Sequence, residues 1–238
     1  MNATSLLRAN REVLDRVFPE PVREPVLPSA AVRRVNGRYV RKVKPAIDCV
    51  AAASLLVVLA PVLASVVIAV YLKLGRPVLL RQERIGQHGR PFAMLKVRTM
   101  HPDRRFGRDR TGGAYSGPER RLTHKTIDDP RHTPLGRFLR RHSLDELPQL
   151  VNVVRGEMSL IGPRPELRAV ADRHGLVSHP RHLLRPGLTG LWQISSSRHE
   201  AIRDGLALDE HYLATVGPLT DLRIAAATLR ALRDNPGS

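Results

Sequence analysis

One run of 23 residues, from Val50 to Leu72, carries no charged side chain. As a straight helix this run would be about 34 Å long, which is enough to cross a lipid bilayer. Basic residues lie on both sides of it, six between Arg33 and Lys44 and five between Lys73 and Arg90. The preference of basic residues for the cytoplasmic side therefore favours the cytoplasm for both ends of the helix.

Pro61 lies at the middle of this run. A proline inside a helix removes one backbone donor and kinks the helix. The sequence thus predicts a re-entrant membrane helix over residues 43–74, a helical hairpin that is kinked at Pro61 and stays in one leaflet. The alternative is an ordinary span with a tolerated proline, because transmembrane helices accept proline.

The segments on either side of this helix differ in composition. Residues 1–42 are basic and rich in proline, which predicts a mobile tail. Beyond the helix, extended segments at Pro77–Gln82 and Phe92–Val97 predict a short β-hairpin, and an amphipathic pattern predicts a helix over Thr220–Arg233. The expected fold is α+β and mostly helical, in which the re-entrant hairpin precedes a small membrane-associated domain over residues 75–238 with this β-hairpin and amphipathic helices.

The charge balance restricts the partners of the chain. It has 39 lysines and arginines against 22 acidic residues, a net charge of +17, which indicates an anionic partner such as nucleic acid, anionic lipid or a phosphorylated substrate. Only 4% of the residues are aromatic, so few side chains are available to stack on bases, and nucleic acid is disfavoured. The single cysteine, Cys49, cannot form an internal disulfide, which is typical of a reduced, cytosol-facing protein.

The segment from Arg137 to Pro165 is the densest in side chains that could carry chemistry. Because Pro148 fits only the first turn of a helix, we expect a helix to begin near Asp145, with Asp145 and Glu146 ionised at its positive end. A carboxylate beside several arginines is suited to attack phosphorus or to bind a cation such as Mg²⁺. The alternative is a helix cap at Asp145 followed by an ordinary first-turn acid.

Three blocks of sequence occur in a characteristic order: KVRTM at Lys96–Met100, SLDELPQLVNVVRGEMSLIGPRPE at residues 143–166, and RPGLTGLWQ at Arg185–Gln193. They closely resemble the bacterial sugar transferase family, the monotopic phosphoglycosyl transferases. The resemblance covers residues 43–233. It implies a re-entrant membrane helix, a requirement for Mg²⁺ and a two-step reaction in which a carboxylate first takes a sugar phosphate from a nucleoside diphosphate sugar and then passes it to polyprenyl phosphate.

The resemblance also implies roles for individual residues. Asp145 matches the nucleophile and metal ligand, and Glu146 matches its partner in activating or positioning the acceptor. Phosphate binding is implied for the basic positions Lys96, Arg98, Arg140 and Arg164. This chain departs from the family at the kink, where Ala60 replaces the usual serine before Pro61, and after Gln193, where Arg198 follows three serines and would replace the phosphate-binding arginine of a Ser-Gly-Arg motif with a shift of one residue.

The family further implies a location and partners. The expected place is the bacterial cytoplasmic membrane, with the transferase domain facing the cytoplasm. The expected partners are membrane lipids, a nucleoside diphosphate sugar of the UDP class and undecaprenyl phosphate, in the first step of exopolysaccharide, capsule or other glycoconjugate synthesis, and a homo-oligomer is allowed. Two alternatives stay open: a membrane-anchored basic adaptor without catalysis, and, last, a nucleic-acid-binding protein.

Overall fold

The structure is a computed structural model that describes residues 29–101, 131, 133–173, 176–195 and 202–234. Most of the predicted N-terminal tail lies outside these residues, as do Ser196, Ser197 and Arg198. The last part of the predicted tail is helical. Helix α1 spans Ser29–Val35, and a π-helical turn at Tyr39–Val43 leads directly into the apolar segment.

Two apolar helices follow, α2 at Lys44–Val58 and α3 at Ala60–Leu74. Among the described residues no single helix is long and apolar enough to cross a membrane, and only the stretch Ala31–Val58 together with α3, at a bend of 63°, meets that criterion. The break falls at Leu59, two residues before Pro61. Pro61 has no N–H to donate to the carbonyl of Val57, so this carbonyl has no partner one turn ahead; the N–H of Leu59 donates to the carbonyl of Leu55 at 2.8 Å and also faces that of Val57.

The predicted β-hairpin is confirmed, with its first strand placed slightly later. Strand β1 is Leu79–Ile85 and β2 is Pro91–Val97, paired antiparallel from Leu79 opposite Val97 to Ile85 opposite Pro91. The other edge of β1 pairs with the two-residue strand β4, Glu166–Leu167, in the sheet order β2–β1–β4. A second sheet joins β3, Ser159–Ile161, and β5, Gly187–Thr189, in parallel. The α+β class is thereby confirmed.

Helices make up most of the remaining domain. They are α4 at Pro134–Arg141, α5 at Gln149–Val154, α6 at Arg168–Arg173, α7 at Leu191–Ile194, α8 at Ile202–Thr215 and α9 at Pro218–Asp234. Short 3₁₀ turns cover Leu144–Glu146 and Pro180–Leu183. The predicted C-terminal helix is α9, which begins two residues earlier than the pattern indicated because Pro218 fits a first helical turn.

The apolar helices are attached to this domain by packing and by a polar network. Ala52 of α2 is buried in one cluster with Met94 of β2 and Leu150 of α5. At the base of α2, Lys44 Nζ lies 2.7 Å from Asp221 Oδ2, whose other oxygen accepts the hydroxyl of Tyr212 at 2.6 Å. These contacts fix the start of α2 against α8 and α9, so the apolar segment and the domain have one defined orientation.

Candidate active site

Asp145 lies in the 3₁₀ turn Leu144–Glu146, directly after Ser143, which has a left-handed backbone (φ 54°). The α-helix expected to begin near Asp145 begins only at Gln149. An α-helix from Asp145 would need the N–H of residue 148 to donate to the carbonyl of Leu144, and Pro148 has none. The N–H of Leu147 donates to that carbonyl instead, which tightens the chain into a 3₁₀ turn and turns Asp145 inward.

Three of the residues predicted for the site meet in this turn. Lys96 Nζ lies 2.9 Å from Asp145 Oδ2 and donates to Glu146 Oε1 at 3.2 Å. Asp145 is buried, at 1% exposure, whereas the Lys96 and Glu146 side chains are 29% and 41% exposed. The group therefore has one buried carboxylate and one open carboxylate joined by a single ammonium.

The ionisation of Asp145 follows from this burial. Loss of water raises the pKa of the Asp145 carboxyl, and the Lys96 ammonium opposes that rise. The sequence prediction attributed the charge of Asp145 to a helix N-terminus. In the structure the α-helix begins after Asp145, so the positive charge beside this carboxylate comes from the Lys96 ammonium and not from a helix N-terminus.

Arg98 points away from this group. Strand β2 ends at Val97, so the alternation that would place Arg98 on the same face as Lys96 stops one residue earlier. The Arg98 guanidinium is buried and donates to the carbonyls of Leu74, Gly75 and Arg76 at the C-terminal end of α3. Burial lowers the pKa of Arg98. Its donors thus cap the end of the second apolar helix.

Arg140 lies on α4, which packs against the turn that carries Asp145. It is half-buried, and its Nε donates to the carbonyl of Gly136 at 3.3 Å. Gly136 itself contacts the end of the KVRTM segment: a Cβ at this position would lie 1.8 Å from the carbonyl oxygen of Thr99. The glycine thus allows α4, which carries Arg140, to approach the segment that follows β2.

Arg164 belongs to a second charged cluster. Its guanidinium carbon lies 5.8 Å from the centre of the Trp192 ring, and its carbonyl accepts Arg181 Nη2 at 2.6 Å. Arg181 is 1% exposed and pairs with Asp209 at 2.7 Å and Glu166 at 3.8 Å. Full burial raises the pKa of Asp209 to about 6, although the charge of Arg181 opposes the rise. Arg181 was not among the predicted site residues because it lies in none of the sequence motifs. Only the fold brings its guanidinium next to the backbone of Arg164.

The acidic residues of the site suit only one mode of Mg²⁺ binding. Within the described ranges no group of three His, Cys, Asp or Glu side chains is placed to hold a metal ion. Asp145 and Glu146 supply two adjacent carboxylates. Mg²⁺ is often bound through one or two carboxylates while substrate phosphates complete its shell. The site fits Mg²⁺ in that mode, together with a phosphorylated substrate.

Comparison with known proteins gives a consistent result. The model of the family described as bacterial sugar transferase matches residues 39–235. A relative named exopolysaccharide production protein ExoY, from Sinorhizobium fredii (strain NBRC 101917 / NGR234), is 36% identical over 212 residues, which cover 88% of this chain and 92% of the relative.

Two further relatives carry names that specify a reaction. One, from Caulobacter vibrioides (strain ATCC 19089 / CIP 103742 / CB 15), is named UDP-glucose:undecaprenyl-phosphate glucose-1-phosphate transferase and is 39% identical over 197 residues, 79% of this chain and 69% of the relative. The other, from Erwinia amylovora, is named UDP-galactose-lipid carrier transferase and is 34% identical over 202 residues, 83% of this chain and 42% of the relative.

Proposed function

The chain belongs to the bacterial sugar transferase family and is a transferase, and we propose that it moves a sugar 1-phosphate from a nucleoside diphosphate sugar to polyprenyl phosphate. The products are a polyprenyl diphosphate sugar and a nucleoside monophosphate. The observation that carries this proposal is the group formed by Lys96, Asp145 and Glu146, a buried carboxylate whose charge is balanced by one lysine beside a second, open carboxylate.

The reaction proceeds in two displacements on one phosphorus. An oxygen of Asp145 bonds to the phosphorus that bears the sugar, and the bond from that phosphorus to the nucleoside monophosphate breaks, so the monophosphate leaves with the electron pair. A phosphate oxygen of the polyprenyl phosphate then bonds to the same phosphorus and the Asp145 oxygen leaves. Covalent catalysis of this kind divides one difficult step into two easier ones.

The neighbouring side chains act on charge and position. Lys96 keeps Asp145 ionised before the attack, because an ammonium 2.9 Å away favours the carboxylate. Glu146, open to solvent on the same turn, positions the acceptor phosphate or takes its proton. Asp145, with Glu146 beside it, would hold Mg²⁺, which would supply positive charge to the diphosphate.

We assign phosphate binding to the arginines on two sides of the domain. Arg140 lies on α4. Arg164 lies in the segment before β4, and its backbone carbonyl accepts a hydrogen bond from Arg181. A guanidinium binds phosphate through two parallel N–H groups, which an ammonium cannot imitate. Arg98 is assigned to support of α3 because its donors face carbonyls. Arg198 stays a family-based assignment to the phosphate.

The donor and the pathway are proposed from the relatives. One relative is named for UDP-glucose and another for UDP-galactose, so we propose a UDP-sugar as donor and undecaprenyl phosphate as acceptor. Production of exopolysaccharide is named for ExoY, and we propose the first step of exopolysaccharide or other glycoconjugate synthesis for this chain. The basic adaptor, the alternative class, predicts no release of nucleoside monophosphate.

We also propose that α2 and α3 form a re-entrant hairpin in the bacterial cytoplasmic membrane, with the domain on the cytoplasmic side. The 63° bend and the exposed apolar side chains of both helices support this topology, among them Val50, Val57, Ile68 and Leu72. Single cysteines at Arg38 and Arg81, in a Cys49→Ala background, should both be labelled only from the cytoplasmic side. Labelling of either one from the outside would indicate a span.

The covalent step is tested by mass spectrometry. The enzyme is incubated with a UDP-sugar and Mg²⁺ without polyprenyl phosphate, and the adduct of sugar-phosphate mass is located by peptide mapping. We expect it on the peptide that contains Asp145, and we expect it to disappear when polyprenyl phosphate is added. Asp145→Asn should form no adduct, whereas Asp172→Asn, a change at an exposed aspartate of α6, should react like the wild type. An adduct on another peptide, or full turnover by Asp145→Asn, rules out Asp145 as the nucleophile.

A further inference from the structure

We propose that Asn152 is a positioning residue of this reaction, which holds the strand that carries Lys96 in register with the turn that carries Asp145. The inference rests on the proposed function, because it concerns the position of Lys96 relative to the proposed nucleophile. Asn152 lies on α5, which starts three residues after Glu146, and no part of its side chain is exposed.

The carboxamide of Asn152 uses each of its polar atoms. Oδ1 accepts the N–H of Leu95 at 3.0 Å, and Nδ2 donates to the carbonyl of Ala93 at 2.9 Å and to Glu157 Oε2 at 2.6 Å. Strand β2 is an edge strand of its sheet, and Asn152 occupies the place of a neighbouring backbone amide on that edge. The next residue after Leu95 is Lys96.

These bonds complete a closed path of contacts. The chain runs from Asp145 into α5, where Asn152 Oδ1 accepts the N–H of Leu95. The next residue of β2, Lys96, has its Nζ 2.9 Å from Asp145 Oδ2, which closes the path. The distance between the ammonium and the buried carboxylate is therefore set by the register between α5 and β2. A shift of this register moves Lys96 away from Asp145.

Apolar packing alone does not fix this register. Leu150 and Val153 of α5 pack with Met94 of β2 in one buried cluster. Such packing is non-directional and follows the buried area, whereas a hydrogen bond needs a defined donor and acceptor. Burial of the Asn152 carboxamide costs desolvation free energy that an apolar side chain would not cost. We therefore assign to Asn152 the selection of one register between α5 and β2.

The role predicts a loss of rate without a loss of donor binding. Asn152 is fully buried and bonds to β2, so its removal moves Lys96 away from Asp145 and slows the attack on phosphorus. The UDP-sugar concentration that gives half the maximal rate of adduct formation should stay near its wild-type value. A misplacement of about 1 Å costs about 100-fold in rate, so we expect Asn152→Leu to lower the rate of Asp145 adduct formation by about 10- to 100-fold near pH 7.

The experiment measures adduct formation on Asp145 against UDP-sugar concentration at one pH for the wild type, Asn152→Leu and Val153→Ala. Val153→Ala removes buried apolar volume from the same helix but leaves the bonds to β2 intact, so it reports on stability alone. We expect the maximal rate to fall in Asn152→Leu while the half-saturating UDP-sugar concentration stays unchanged, and we expect both values to stay at their wild-type level in Val153→Ala. If Asn152→Leu does not fold, Asn152→Ala takes its place, because water can then reach Leu95 and Ala93.

The outcomes separate this inference from the proposed function. Absence of any adduct in the wild type overturns the proposed function and, with it, the role of Asn152. An adduct in the wild type together with wild-type maximal rates in both variants leaves the proposed function intact and overturns the positioning role. A fall in maximal rate of equal size in Val153→Ala also overturns it, since general loosening of α5 would then explain the effect.

Discussion

Arg98 gives the clearest test of whether a residue matched to a family motif contacts substrate or supports the fold. Its guanidinium donates to three carbonyls at the end of α3, namely those of Leu74, Gly75 and Arg76. These carbonyls belong to the end of a helix, where no further turn supplies donors. Arg98→Met keeps the apolar stem of the side chain and removes all of these bonds.

The size of the effect follows from the number of bonds. A hydrogen bond to a charged group contributes about 1.5–3 kcal/mol, and water that reaches the freed carbonyls restores part of it. We therefore expect Arg98→Met to lower the free energy of unfolding by about 3 kcal/mol, the equivalent of one or two such bonds. For a chain of this length this corresponds to a fall in Tm of about 6–12 °C.

The assay is thermal unfolding in detergent micelles, followed by tryptophan fluorescence. The chain has one tryptophan, Trp192, and it is buried at 3% exposure, so its emission reports on the packed core. Arg90→Met, at an exposed arginine of the same hairpin, is the matched control and should melt like the wild type. If Arg98→Met also melts like the wild type but no longer binds the UDP-sugar, Arg98 contacts phosphate and its assignment to the helix end is wrong.

Two further predictions concern the site itself. Lys96→Met should shift the acidic limb of adduct formation to higher pH, because burial raises the pKa of Asp145 and the lost ammonium is the main group that opposes this rise. An unchanged limb in the pH profile would contradict this. Gly136→Ala should lower stability by about 1–3 kcal/mol in the same melting assay, because its Cβ would overlap the carbonyl of Thr99 and push α4 away, whereas Gly217→Ala, whose Cβ meets no atom nearer than 3.8 Å, should melt unchanged.

The extent to which the sequence predicts the structure differs between local and tertiary features. The apolar helices and the β-hairpin follow from patterns within about twenty residues, and the break near Pro61 follows from the missing N–H of one residue. The direction of the Arg98 side chain does not follow from such patterns. Side chains alternate between the two faces only within a strand, and β2 ends at Val97. Arg98 bonds instead to carbonyls at and just after the end of α3, 22 to 24 residues earlier in the sequence.

Family resemblance indicated Asp145 and Glu146 as the proposed reactive pair, whereas the position of Pro148 predicted a helix N-terminus at Asp145 that the structure does not have. A helix N-terminus acts through peptide dipoles and weakens within one turn. The structure has instead a desolvated carboxylate paired with one lysine, and this arrangement depends on residues that are 49 positions apart, Lys96 and Asp145. No local pattern reports the distance between them.

Burial and the ammonium shift the pKa of Asp145, the proposed nucleophile, in opposite directions. Burial raises this pKa because a desolvated carboxylate loses its hydration. The Lys96 ammonium lowers it and so favours the ionised form that attack on phosphorus needs. Glu146 competes for the same ammonium through its own bond at 3.2 Å. Loss of the Glu146 charge should therefore leave Lys96 wholly to Asp145, which lowers the pKa of the nucleophile, whereas loss of Lys96 raises it.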